Sequence, residues 1–164
     1  MSKKGDDLKK YFKVLVINNF KKLDNYHLKL TNEIDVKSGI SLSFQNNFCG
    51  VTFVLDFSEG LIFLWISRLI NGKLPETSLN IDEHTDLNRI DFLDLIKLRN
   101  KDLQIPRFSP DELVFNEDCK NNIATYTNFL FDNLESLAKD IFKGNFGCVF
   151  DDLKKIVVDR IKNQ

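Results

Sequence analysis

Apolar side chains at Leu8, Tyr11, Phe12, Leu15 and Val16 recur in steps of three and four, with Lys9, Lys10, Lys13, Lys21 and Lys22 at the positions between. This spacing predicts an amphipathic helix over 7–23 behind an acidic first turn. From about Tyr26 the period falls to two. Ile40, Leu42 and Phe44 alternate with Ser41, Ser43 and Gln45, as in a strand with one face on a core and one in water. Asn46-Asn47 predicts a tight turn with left-handed backbone, and Val51, Phe53, Leu55 and Phe57 resume the alternation. Ser58-Glu59-Gly60 predicts a second turn, with Gly60 at the positive φ, before a strand over 61–69. That strand is apolar on both faces, Leu61, Phe63 and Trp65 against Ile62, Leu64 and Ile66, which places it in the sheet centre with helices covering it. A weaker strand is expected within 27–36.

The segment 71–118 differs. It holds Pro75, Pro106 and Pro110 and 11 acidic against 6 basic side chains, a local net of -5, and reads as mostly a surface excursion. Within it, 86–99 suits a helix with Phe92, Leu95 and Ile96 on one side, although Ile90, Phe92, Asp94 and Ile96 also alternate as a strand would. From Cys119 the helical period returns: Ile123, Tyr126, Leu130, Leu134, Leu137 and Ile141 form one stripe, and Gly144 is placed to end the helix. Asp151-Asp152 opens a last helix with Leu153, Ile156, Val157 and Ile161 on its apolar face. Strands in the first half and helices in the second predict a single α+β domain over 1–164, an antiparallel β-meander of three to four strands packed against N-terminal and C-terminal helices.

Composition narrows the function classes. At 43% hydrophobic with 15 Phe, the chain can build an aromatic-rich core, and its net charge of -1 gives no bulk field for nucleic acid or anionic lipid. The longest apolar run, 61–66, falls far short of the roughly 20 residues of a membrane span. Cys49, Cys119 and Cys148 are odd in number and lack a CxxC pairing, which fits reduced thiols in a cytosol. Charge is nonetheless uneven, since residues 1–30 carry 8 basic and 3 acidic side chains, net +5, opposite in sign to 71–118.

Catalytic chemistry has little foothold. His27 and His84 lack a partner at a defined spacing, and Gly144-Asn-Phe-Gly147 lacks the Lys-Ser/Thr that grips a nucleotide. Asp82-Glu83-His84-Thr85-Asp86 is the densest set of metal-ligand types, but a calcium loop would need Gly where Leu87 stands and Glu where Leu93 stands. A solvated helix-start cluster, favoured by the N-terminal dipole, explains it adequately, and no cofactor is expected. The acidic excursion has two open readings: a solvated face, or a docking surface for a basic partner.

At the C-terminal end, Leu137-Ala-Lys-Asp-Ile-Phe-Lys-Gly-Asn-Phe146 followed by Val149-Phe-Asp-Asp-Leu153 resembles the tail of small bacterial immunity proteins that guard against polymorphic toxins, including those of contact-dependent growth inhibition. Tyr11-Phe12, Leu23-Asp-Asn-Tyr-His27, Val51-Thr-Phe-Val-Leu-Asp56 and Leu61-Ile-Phe-Leu-Trp65 follow a similar order of elements. The pattern favours Asp after the glycine; Asn145 stands there instead and keeps the turn chemistry. The resemblance implies a cytoplasmic, non-enzymatic protein that binds and silences one cognate toxin domain. If that toxin is a nuclease, its groove is basic, and Asp82, Glu83, Asp86, Asp91, Asp94, Glu117 and Asp118 are the expected partner-binding residues. The alternatives are a small metal-dependent enzyme built on the His84 loop and a non-toxin adaptor.

Overall fold

The computed structural model describes residues 3–75 and 86–162. Helix α1, Lys3–Phe20, runs into a 3-10 turn, Lys21–Tyr26, and the meander follows: β1 Lys29–Val36, β2 Gly39–Gln45, β3 Cys49–Asp56 and β4 Leu61–Arg68. A fifth strand, β5 Arg89–Asp91, leads directly into α2 Phe92–Arg99; a single π-turn, Asp111–Phe115, precedes α3 Cys119–Phe142 and α4 Val149–Lys162. The five strands lie in sequence order and every pairing is antiparallel. The α+β meander is as expected, with one strand more than the upper count. No helix of the described residues is long and apolar enough to cross a membrane.

Register fixes the two faces of the sheet. Leu42 stands opposite Phe53 and Phe53 opposite Leu64, and these rows are buried beneath α1 and α3. Phe20 at the end of α1 stacks on Phe44 with ring centroids 3.5 Å apart, and Phe131 of α3 stacks on Phe53 at 4.6 Å. All six residues of the predicted α3 stripe are buried. Burying one large apolar side chain is worth roughly 1.5–3 kcal/mol, so this aromatic layer is the main source of cohesion.

Several details depart from the pattern. Lys9, a polar position by periodicity, is buried, because its amine donates to Asp35 Oδ1 at 2.6 Å and to the Val36 carbonyl, tying α1 to β1. The 71–118 segment is more than an excursion, since Leu87, Ile90, Phe92, Leu95, Ile96, Leu113 and Val114 all enter the core. Its apolar runs are simply too short to register as long elements. Both readings of 86–99 hold in part: the strand alternation covers Arg89–Asp91, then the Asp91 carboxylate accepts from the Leu93 N–H at 2.7 Å and starts the helix. Gly60 and Gly144 have positive φ, 63° and 81°, as expected. Asn46 and Asn47 do not; Asn46 builds its turn through the side chain, accepting from the Phe48 and Cys49 N–H groups and donating to the Tyr26 and Phe142 carbonyls. The left-handed non-glycine residues among those described are instead His27, at the end of the 3-10 turn and outside any strand, and Asn71.

Candidate functional site

The helices do not cover β4 on both sides. Ile62, Leu64 and Ile66 face the core, whereas Phe63 and Trp65, one residue out of phase, are half-buried on the opposite face together with Thr52 and Val54 of β3. The outer parts of that face are more open, with Ile34 49%, Val36 48% and Leu61 36% exposed. Register sets these residues in rows: Ile34, Ser41, Val54, Phe63, and next to it Asn32, Ser43, Thr52, Trp65, Asp91. Phe63 and Trp65 stack with centroids 5.7 Å apart, and the Arg89 guanidinium lies 4.2 Å from the centre of the Trp65 ring. A guanidinium over an indole is held by the ring quadrupole, worth about 0.5–1 kcal/mol where water has access. Trp, Phe and Arg on a half-exposed apolar surface are the residue types that dominate binding energy at protein interfaces.

Beside Trp65 the β5 edge turns into a charged corner. Arg89, Asp91 and Asp94 share a small cavity with Leu153 and Val157 of α4. Asp94 is 5% exposed and accepts from Arg160 Nη2 at 2.6 Å and from the Lys97 amine at 3.4 Å, so its carboxylate is engaged by α4 and by its own helix. Burial pushes the Asp91 carboxyl above its ordinary value; the Leu93 N–H pulls it back down, and the nearby Asp94 charge raises it further. Of the seven acidic residues expected to meet a partner, Asp91 and Asp94 are therefore drawn inward as helix cap and ion-pair partner. Asp86 is exposed three residues before Arg89, and Glu117 and Asp118 are exposed at the entry to α3, beside the Phe115 and Asn116 carbonyls that accept from Lys4. Asp82 and Glu83, with His84, lie outside the described residues.

Neither Cys49 nor Cys148 is set up as a thiolate nucleophile. Burial lifts the Cys49 thiol to about 12, and Cys119 is buried as well. Cys148 is exposed, but its hydrogen bond to Asp152 and the charge of that carboxylate raise its pKa, which disfavours thiolate. Among the described residues no group of three or more His, Cys, Asp and Glu side chains converges as a metal site.

Sequence periodicity identifies Phe63 and Trp65 as strand residues but assigns them to a covered centre. The signal that separates the two outcomes is their aromatic character: an aliphatic residue gains little at a half-wet position, whereas Trp and Phe supply stacking area to a neighbouring Arg. Arg89 carries no such signal in isolation. No protein-family model matches this chain, and no curated protein or solved structure does so either.

Proposed function

We propose that this chain is an immunity-type inhibitor, which binds one cognate toxin domain and neutralises it by covering it, with the Phe63/Trp65/Arg89 sheet face as its anchor. The observation that carries this reading is a sheet face on which Phe63 and Trp65 are half-buried and Ile34, Val36 and Leu61 are exposed, opposite a face packed into the core. Aromatic and aliphatic side chains grouped with an Arg on an open sheet face are the residue types that a protein partner covers. The resemblance of 137–153 to immunity proteins agrees with a binding role. In this reading the protein acts in the cytoplasm of the cell it protects, and the exposed carboxylates of Asp86, Glu117 and Asp118 steer a basic toxin surface without supplying the anchor.

The test starts from the reading frame immediately upstream, which this reading expects to encode a large secreted protein, and co-expresses its C-terminal domain with this chain. Cells carrying that toxin domain should survive only when this chain is present, and the two should co-purify as a stable heterodimer. Toxicity that is unrelieved by this chain would refute the proposal, and a stable complex with an unrelated cellular protein in its place would favour an adaptor.

A further inference from the structure

On the side of the molecule where β4 begins, the segment 101–108 arches over Leu61, Leu93 and Tyr126 and encloses a cleft of about 930 Å³. That volume lies within the range of small-molecule sites, roughly 300–1,000 Å³. Its walls mix apolar and polar surface, with Leu103, Ile105 and Phe108 of the arching segment packed partly against the core beside Lys101, Gln104 and Arg107. Two features are at odds with a mere packing defect. The first is Tyr126, which is 9% exposed and has no hydrogen-bond partner among the described residues. Among the described residues the side-chain oxygens sealed from solvent without a partner are Asn116 Oδ1 and Thr127 Oγ1, so the Tyr126 hydroxyl is open to solvent, and Tyr126 lines the cleft. An unpaired phenol O–H facing the cleft can donate to a ligand acceptor in place of water. The second is charge. Lys101 and Arg107 both line the cleft, both are exposed, neither has an ion-pair partner among the described residues, and no Asp or Glu is part of the lining.

The position of Asp91 orders these contacts. Burial, with the charge of nearby Asp91 added to it, holds the Tyr126 phenol at about 12, so the phenol is a neutral donor and a second anion beside it would be repelled. The anionic group of a ligand therefore belongs at the rim, and a neutral oxygen at the floor. We propose that this cleft binds a small amphipathic carboxylate, with its charge between Lys101 and Arg107, its apolar body against Leu93, Ile105 and Phe108, and an uncharged acceptor oxygen bonded by the Tyr126 hydroxyl. Leu61 borders both this cleft and the sheet face, but the charged and phenolic groups of the cleft lie off that face, and the proposal stands whether or not the face meets a toxin.

Fluorescence titration with dansyl-L-phenylalaninate, and with its neutral amide dansyl-L-phenylalaninamide, tests the assignment on the purified full chain. The two probes share an apolar body and sulfonyl oxygens and differ only in the carboxylate. The expected result is saturable 1:1 binding with the carboxylate at least about tenfold tighter than the amide at low salt, a preference that shrinks as salt screens the rim. Lys101→Gln with Arg107→Gln should abolish the preference; both are surface positions whose replacement leaves the core untouched. Tyr126→Phe, with its thermal midpoint checked, should weaken both probes several-fold and leave their ratio intact. Non-saturable binding, equal affinity for the two probes, or an undiminished preference in the double variant would overturn the proposal.

Discussion

Gly60 has little freedom to change. It holds φ 63°, and a Cβ added there would stand 2.3 Å from the Pro110 side chain, so Gly60→Ala combines left-handed strain with a collision. Urea unfolding should show a loss of at least about 2 kcal/mol. Asp91 presents the opposite situation, a side chain whose two roles conflict. As a cap it stabilises α2; as a carboxylate half-enclosed near Asp94 it is costly to ionise. Asp91→Ala should cost about 1 kcal/mol through the lost cap, whereas Asp91→Asn, which still accepts from Leu93, should be neutral or stabilising at pH 7. The sign follows from the raised pKa: the folded state holds the proton more tightly than the unfolded chain, so ionisation penalises folding increasingly as pH rises above the unfolded value. The advantage of Asp91→Asn over the native chain should accordingly be smallest in acid and grow toward neutral pH in stability curves. None of this is visible in the residue string, where Asp91 and Asp94 look like two more members of an acidic surface; their fate depends on Arg160, 66 residues away from Asp94 in the chain.

At the scale of elements, periodicity succeeds where an element is long and has one wet face. The α3 stripe and the strands β2 and β3 are legible for that reason, and so is the helix end at Gly144. The string fails where tertiary contacts reverse a local preference. Lys9 is buried because Asp35 and the Val36 carbonyl receive its amine, and Ile161, assigned to the apolar face of α4, stays 49% exposed while Val158 packs inward. Three-residue β5 is too short to show a period. The edge strand β1 illustrates a constraint of another kind. It carries a bulge between Leu30 and Asn32, and on its helix side Glu33 and Asp35 pair with Lys13 and Lys9, devices that make an open edge a poor template for another strand. Between helices the principal polar joint is Arg99 of α2, which donates to Asp140 of α3 in two parallel bonds of 2.7 and 2.6 Å and also to the Leu137 carbonyl. Arg99→Ala should cost about 1 kcal/mol, below the full worth of a charge-assisted pair because both side chains remain partly in water. Its hydrogen bond with Arg99 holds the Asp140 carboxyl below its ordinary value. The pair's contribution is therefore complete above the unfolded carboxyl value of 3.8 and is lost as pH falls through the lowered folded value. The stability gap between the native chain and Asp140→Asn should close on acidification over that window.

For the molecule as a whole, the sheet has one face consumed by the core and one left partly wet, and the proposed function rests on that asymmetry. The strand alternation of 40–57 already implies a solvent-facing side; what the sequence conceals is that Phe63 and Trp65 lie there, because a run of six apolar residues reads as doubly buried. The same asymmetry separates anchor from steering. Charge reversal at Asp86, Glu117 and Asp118 should slow association with a basic partner several-fold and flatten its salt dependence while changing the dissociation rate little. Loss of an aromatic anchor should act mainly on dissociation, typically by more than 2 kcal/mol when the residue lies at the centre of an interface.

The most direct measurement is calorimetric titration of the cognate toxin domain with the native chain and with Trp65→Ala and Ile34→Asp, each variant checked for an unchanged thermal midpoint. Anchoring through the sheet face predicts at least about a thirtyfold loss of affinity for each folded variant, together with loss of protection in co-expressing cells. Affinity and protection equal to those of the native chain in both variants would contradict it.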